Sequence, residues 1–253
     1  MDKILLSQYI DYIDRCFRDT ADKDYITARI LYKYELGPQF LWASQQAIEK
    51  YLKSILLYNH KSTKDLKHYI YKSFGRLKQI NYIKFDFPEN VIKFIEYLDD
   101  QGPNRYLEKF AYTDGKELLL LDRSVWYIRK YCFFLHGKTS PDAKGNRVDL
   151  FPIHIKQIRS LDEKLSNKYH LFNGFLEKVL KDKRSKVRKY LVWKNFYYGS
   201  YKKKIIQNFA MSSWSFVPTY YNHPKLFELL DKRIIFSERF RKEFLSQINK
   251  MRK

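Results

Sequence analysis

The stretch KVLKDKRSKVRKYLVWKNFYYGSYKKK, residues 178–204, carries the strongest chemical signal in the chain. It sets 11 basic residues against the single acid Asp182 and interleaves Tyr190, Trp193, Phe196, Tyr197, Tyr198 and Tyr201. Ammonium and guanidinium groups follow phosphates while aromatic rings stack on unpaired bases, the combination that holds single-stranded nucleic acid. The candidate RNA-binding residues are therefore Lys183, Arg184, Lys186, Arg188, Lys189, Trp193, Lys194, Tyr197, Lys202, Lys203 and Lys204. Neutralising about six phosphates would give a slope of log K against log salt near −4 for a single strand. A basic solvated helix followed by an aromatic packing segment would explain the same letters.

A second chemical stretch is FLWASQQAIEKYLKSILL, residues 40–57. Ala43 and Ala47, four apart, let a neighbouring helix approach closely, and Leu41, Ile48, Leu52 and Ile55 supply an apolar stripe. Glu49 and Lys53 form an i,i+4 pair, worth about 0.2–0.5 kcal/mol when exposed. Gln45 and Gln46 can hydrogen-bond a loop or a ligand.

Other chemistries are excluded by pattern. The sequence has no Walker loop, GxGxxG, HExxH or CxxC pair. Its six histidines, at 60, 68, 136, 154, 170 and 223, lack metal-ligand spacing, so neither a metal nor a cofactor is expected. Cys16 and Cys132 are too few for a disulfide scaffold or a cysteine zinc site.

The elements that position these residues read as helices. At 253 residues with 45% hydrophobic and 18% aromatic residues, the chain can bury a substantial core. Apolar residues recur at helical spacing over 3–18. Asp19 or Thr20 offers an N-cap for a helix ending near Leu36, with Asp22 and Asp24 in its dipole-favoured first turn. Gly37-Pro38 punctuates the chain before the 40–57 helix. Shorter helices follow at about 64–79 and 89–100, and a long one at 115–136. Residues 137–152, GKTSPDAKGNRVDLFP, read as a break. They separate a bundle at 1–137, across a linker at 138–152, from a C-terminal domain at 153–253. Helices are expected at about 153–182 and 222–250, while 190–221 fits either short strands or irregular packing. The fold class is mainly α, an antiparallel helical bundle followed by a basic, mostly helical extension.

Charge follows the same division. Of the net +21, residues 1–136 contribute +4 and residues 137–253 contribute +17, which points the second half toward a polyanion. No signal peptide or run of about 18 apolar residues is present, so a cytoplasmic protein without a membrane partner is expected.

The order of motifs in the first half resembles the HEPN family, helical bundles found in RNases and nucleotide-binding proteins. Asp24-Tyr25-Ile26-Thr27-Ala28-Arg29-Ile30-Leu31 is similar to the family's opening Asp-x-x-x-Ala-x-x-Leu helix. Gln45-Gln46-Ala47-Ile48-Glu49-Lys50-Tyr51-Leu52-Lys53 resembles its Gln-Gln-Ala-x-Glu-Lys-x-Leu-Lys core helix. His68 stands where a third helix begins, and Asn104-Arg105-Tyr106 resembles the Arg-Tyr before the last helix. The resemblance spans about residues 20–136. It makes Gln46, Glu49, Lys50, Lys53, His68 and Arg105 candidates for contact with a nucleotide or with a partner protein such as a nucleotidyltransferase.

Catalytic family members carry Arg, four to six residues, then His, paired across a homodimer. Here Arg129 and His136 have six residues between them. Seven helical steps turn through about 700°, so the two side chains face one way roughly 10 Å apart. The histidine would move the 2′-hydroxyl proton and the arginine would stabilise charge on the phosphoryl oxygens. The resemblance thus implies a metal-independent endoribonuclease in a defence or stress system, for example a toxin–antitoxin pair in antiviral defence. The alternative is a non-catalytic module that binds RNA, a nucleotide or a partner, with His136 capping a helix end beside a solvated Arg129.

Overall fold

The computed structural model describes residues 2–102, 104, 110–134, 139–141, 143–160, 174–199, 214–233, 236, 241–242 and 244–246. Helix α1 (Lys3–Ile13) passes through a π-helical turn (Asp14–Arg18) directly into α2 (Asp19–Lys33). The expected break at Asp19 or Thr20 is absent. The Thr20 hydroxyl donates to the Arg15 carbonyl at 2.9 Å, and Arg18 bridges Asp14 and Asp19, so the acids there brace one continuous helix. Tyr34 ends α2, and Glu35 at φ 60° takes the left-handed conformation that closes many helices.

Helix α3 (Gly37–Tyr58) starts with Pro38 in its first turn, where a missing N–H costs nothing. The short 34–36 connection returns it antiparallel against α2, and α3 is the central pillar of the bundle. Its apolar stripe of Leu41, Ile48, Leu52 and Ile55 is buried as the periodicity requires, and Ala43 and Ala47 are buried with it. Helix α4 (Ile70–Arg76) and a 3₁₀ turn (Leu77–Gln79) cover less of the chain than the expected 64–79 helix. Helix α5 (Glu89–Gln101) matches expectation closely. Helix α6 (Glu117–Arg129) ends earlier than the apolar run suggested, and Leu135 and His136 lie outside the described residues. The Glu117 carboxylate closes the start of α6 by accepting from the Asp114 and Gly115 N–H groups at 2.6 and 3.0 Å.

The segment expected as a linker contains an antiparallel hairpin, β2 (Thr139–Pro141) with β3 (Arg147–Asp149). Strand β1 (Ala111–Thr113) pairs antiparallel with β4 (Trp214–Phe216), tying the bundle to the distal chain with Ala111 opposite Phe216. After α7 (Phe151–Ser160), helices α8 (Phe175–Lys181) and α9 (Arg188–Val192) return to α2.

These later helices share the core of the bundle. Ile155, Ile158, Leu176, Val179, Leu191 and Tyr198 are buried in the same apolar cluster as the α2, α3 and α6 side chains. The division at 138–152 therefore does not separate two cores. Beyond it, α10 (Pro224–Asp231) contributes Phe227 to a small aromatic cluster with Tyr220, Phe236 and Phe244. Among the described residues, no helix is long and apolar enough to cross a membrane.

The two cysteines report on this packing. Burial pushes the Cys132 thiol up to about 12, and it lies inside the bundle with Sγ 3.5 Å from the Tyr51 carbonyl. Cys16 is exposed on the π-helical turn. Because the thiolate is the reactive form, DTNB at pH 8 is expected to titrate Cys16 in the native chain and Cys132 only after unfolding.

Candidate nucleic-acid interface

The site rests on a buried charge pair. Arg29 on α2 is fully buried and paired with Asp122 on α6, which also accepts from the Tyr25 hydroxyl at 2.6 Å. Burial alone would lower the Arg29 pKa, but Asp122 and then Tyr25 outweigh it and raise it. Its remaining N–H groups reach out to the chain after α8. Nε donates to the Tyr190 carbonyl at 3.0 Å, and Nη2 donates to the Trp193 carbonyl. Asn195 completes the brace by donating to the Tyr25 hydroxyl at 2.8 Å and accepting from the Tyr197 and Tyr198 N–H groups at 2.9 Å.

This anchoring fixes a short backbone whose side chains form a cationic, aromatic surface. Lys33, at the end of α2, places Nζ 5.4 Å from the Tyr190 ring and 5.2 Å from the Trp193 ring. Lys189 Nζ lies 4.9 Å from the Tyr190 ring, and Lys194 Nζ lies 5.4 Å from the Trp193 ring. Lys194 itself sits at φ 47°, a left-handed conformation that turns the chain directly after Trp193. Tyr34, at 59% exposure, has its hydroxyl 3.4 Å from that of Tyr190. The Tyr190 phenol is held below its ordinary value by Tyr34 first, then by Lys189 and Lys33. Three ammonium groups thus converge on two rings, the chemistry needed to engage a phosphate beside a stacked base.

The basic stretch is accordingly divided in two. Lys183, Arg184, Lys186 and Lys189 are exposed. Arg188 is half-buried and donates to the Leu180 carbonyl at 3.0 Å. Trp193 and Lys194 are half-buried at the platform. Tyr197 instead packs on Trp126 at 5.7 Å, and Phe196 and Tyr198 are buried, because the chain behind α9 must seal the bundle. Those three aromatics are packing residues rather than a stacking surface. Tyr201, Lys202, Lys203 and Lys204 lie outside the described residues. Lys33 and Tyr34 escaped the sequence reading. Their only signal was a basic–aromatic neighbour pair of the kind repeated in Lys189-Tyr190 and Trp193-Lys194.

Arg129 faces inward. It is fully buried, with Nε 2.7 Å from Asp22 Oδ1 and Nη1 2.6 Å from Glu177 Oε1. Nη2 donates to both carboxylates, at 3.0 Å to Asp22 and 2.7 Å to Glu177. Burial opposes its charge, but Asp22 and Glu177 raise its pKa well above the ordinary value. The Asp22 carboxylate also accepts from the Tyr51 hydroxyl at 2.6 Å and from the Leu176 N–H at 3.1 Å. Glu177 Oε2 accepts from the Gly174 N–H at 2.9 Å. Gly174 lies so close that an added Cβ would meet Arg129 Nη2 at 2.4 Å. The expectation of a solvated Arg129, and of an open guanidinium face for an RNA phosphate, is corrected by this enclosure. Its proposed catalytic companion, His136, lies outside the described residues.

The polar stripe of α3 has a separate role. Glu49, 4% exposed, accepts from Lys53 Nζ at 2.5 Å and lies 3.2 Å from His68 Nδ1. Gln46 Nε2 lies 3.4 Å from Glu49 Oε2, and Gln45 donates to the His68 carbonyl at 3.1 Å. Lys53 also donates to the Lys67 carbonyl at 2.6 Å, while Lys50 pairs with Asp24 on α2. The set fastens the 61–69 loop and α2 to α3, leaving the His68 ring exposed. Arg105 lies outside the described residues.

A family model, the HEPN domain, matches residues 15–119. Residues 15–119 are thus similar to a HEPN domain. Its motif helix is α3, and the Lys33–Tyr34 edge of the platform falls within it. A HEPN domain supports a nuclease or nucleotide-binding module in general, and such domains often bind nucleic acids and dimerise. No curated protein and no solved structure matches the chain.

Proposed function

We propose that the chain is an RNA-binding HEPN protein that holds single-stranded RNA on the Lys33, Lys189 and Lys194 platform, with bases against Tyr190 and Trp193. The observation that carries this reading is the convergence of three ammonium groups on two rings whose backbone is pinned by buried Arg29. Double-stranded RNA presents no unstacked bases to such a surface, so single strands are the preferred ligand. The exposed Lys183, Arg184 and Lys186 extend the positive surface along the chain toward α9 and add affinity without sequence preference.

Under this reading Arg129 has an architectural role and RNA leaves the protein uncut. Endonuclease activity through Arg129 would require both Asp22 and Glu177 to release it when two chains meet. The test uses end-labelled single-stranded and duplex RNA in EDTA, with wild type and the His136→Ala variant. Retention of intact single-stranded RNA by both proteins is expected. Cleavage to 2′,3′-cyclic phosphate ends by wild type alone would replace the binding reading with the catalytic one.

A further inference from the structure

Between the 3₁₀ turn and α5, residues 80–88 run without a regular helix or strand and leave a cavity of about 480 Å³. Its apolar wall includes Phe74, Leu77, Ile83, Phe85, Phe87 and Ile92. The Phe85 and Phe87 rings are stacked at 5.8 Å, and Phe74 meets Phe87 at 5.3 Å, which keeps the wall in place. The volume falls within the range of small-molecule sites, about 300–1,000 Å³.

The polar residues of the same cavity are Lys78, Asn81 and Lys84, all exposed, and no carboxylate lines it. Three exposed lysines elsewhere on the bundle are neutralised by a neighbouring carboxylate. Lys72 meets Asp65 at 3.4 Å, Lys93 meets Glu89 at 2.6 Å and Lys116 meets Asp114 at 3.7 Å. Among the described residues, Lys78 and Lys84 form no ion pair. Asp86 belongs to the same stretch but does not line the cavity. An apolar pocket rimmed by two unneutralised ammonium groups complements a ligand with an apolar body and an anionic head.

We propose that this cavity is a binding site for a free fatty carboxylate, its chain against the phenylalanine wall and its head between Lys78 and Lys84. The site is independent of the RNA platform. Calorimetry with decanoate and with decyltrimethylammonium, each below its micelle concentration, compares one tail length under opposite charge. Decanoate is expected to saturate at one molecule per chain and to bind at least about tenfold more tightly than the cation. The Lys78→Glu/Lys84→Glu variant should reverse that preference while keeping RNA affinity, which verifies that it folds. Ile92→Trp, which places an indole in the cavity from the half-buried face of α5, should abolish decanoate binding. Equal affinity for the two probes, non-saturable uptake, or decanoate binding that survives Ile92→Trp would overturn the proposal.

Discussion

Arg129→Ala should lower the unfolding free energy by about 3–5 kcal/mol, the cost of leaving buried charge without its partner. Both carboxylates facing Arg129 are essentially inaccessible, Asp22 at 0% and Glu177 at 3% exposure. Removing the arginine would leave two anions together in the interior, hydrogen-bonded among the described residues only to the neutral Tyr51 hydroxyl and the Leu176 and Gly174 N–H groups. The reverse change is milder. Glu177→Gln leaves Arg129 paired to Asp22 through Nε and Nη2, so its loss should be clearly smaller. Since small domains have only about 5–15 kcal/mol in hand, the arginine variant should approach the limit of folding. Urea unfolding followed by tryptophan fluorescence measures both. An Arg129→Ala protein as stable as wild type would contradict the enclosed geometry.

Trp193→Ala should weaken single-stranded RNA binding by about 1–3 kcal/mol, the range for losing one base–aromatic stack. Lys33 Nζ and Lys194 Nζ lie 5.2 and 5.4 Å from the ring centroid, so its removal also takes away the surface over which both ammonium groups lie. Tyr190→Ala should cost less, because Tyr34 beside it can still offer a ring. Tyr197→Ala supplies the contrast. That residue packs on Trp126, so its loss should reduce stability while leaving RNA affinity of the folded protein near wild type. Fluorescence anisotropy with a labelled single strand, paired with thermal melts, separates the two effects.

The difference between Trp193 and Tyr197 also marks how far the sequence could be read. Periodicity placed α3 and α5 well, since their apolar stripes face one continuous core. The basic stretch was visible because charge requires no knowledge of distant residues. Which of its aromatics face outward depends on α9 docking against α2, and no local pattern encodes that. Asp22 illustrates the same limit. Near a helix start it reads as a dipole partner, yet it pairs with Arg129, 107 residues away. The π-helical turn was hidden for another reason. One extra residue per turn leaves the apolar spacing on either side intact, so Asp19 and Thr20 imitated the start of a new helix. The 138–152 segment looked like a domain boundary by composition, but composition cannot report that Leu176, Val179 and Leu191 return to the first core.

The most direct test of the RNA platform is the salt dependence of single-stranded RNA affinity, compared between wild type and Lys33→Ala/Lys189→Ala/Lys194→Ala. Each phosphate contact contributes about −0.7 to the slope of log K against log salt, so three lost contacts should flatten it by about 2. A triple variant that melts like wild type and binds more weakly with that flatter slope is the predicted result. An unchanged affinity and slope would contradict the account, because Lys33, Lys189 and Lys194 would then not be where the RNA phosphates lie.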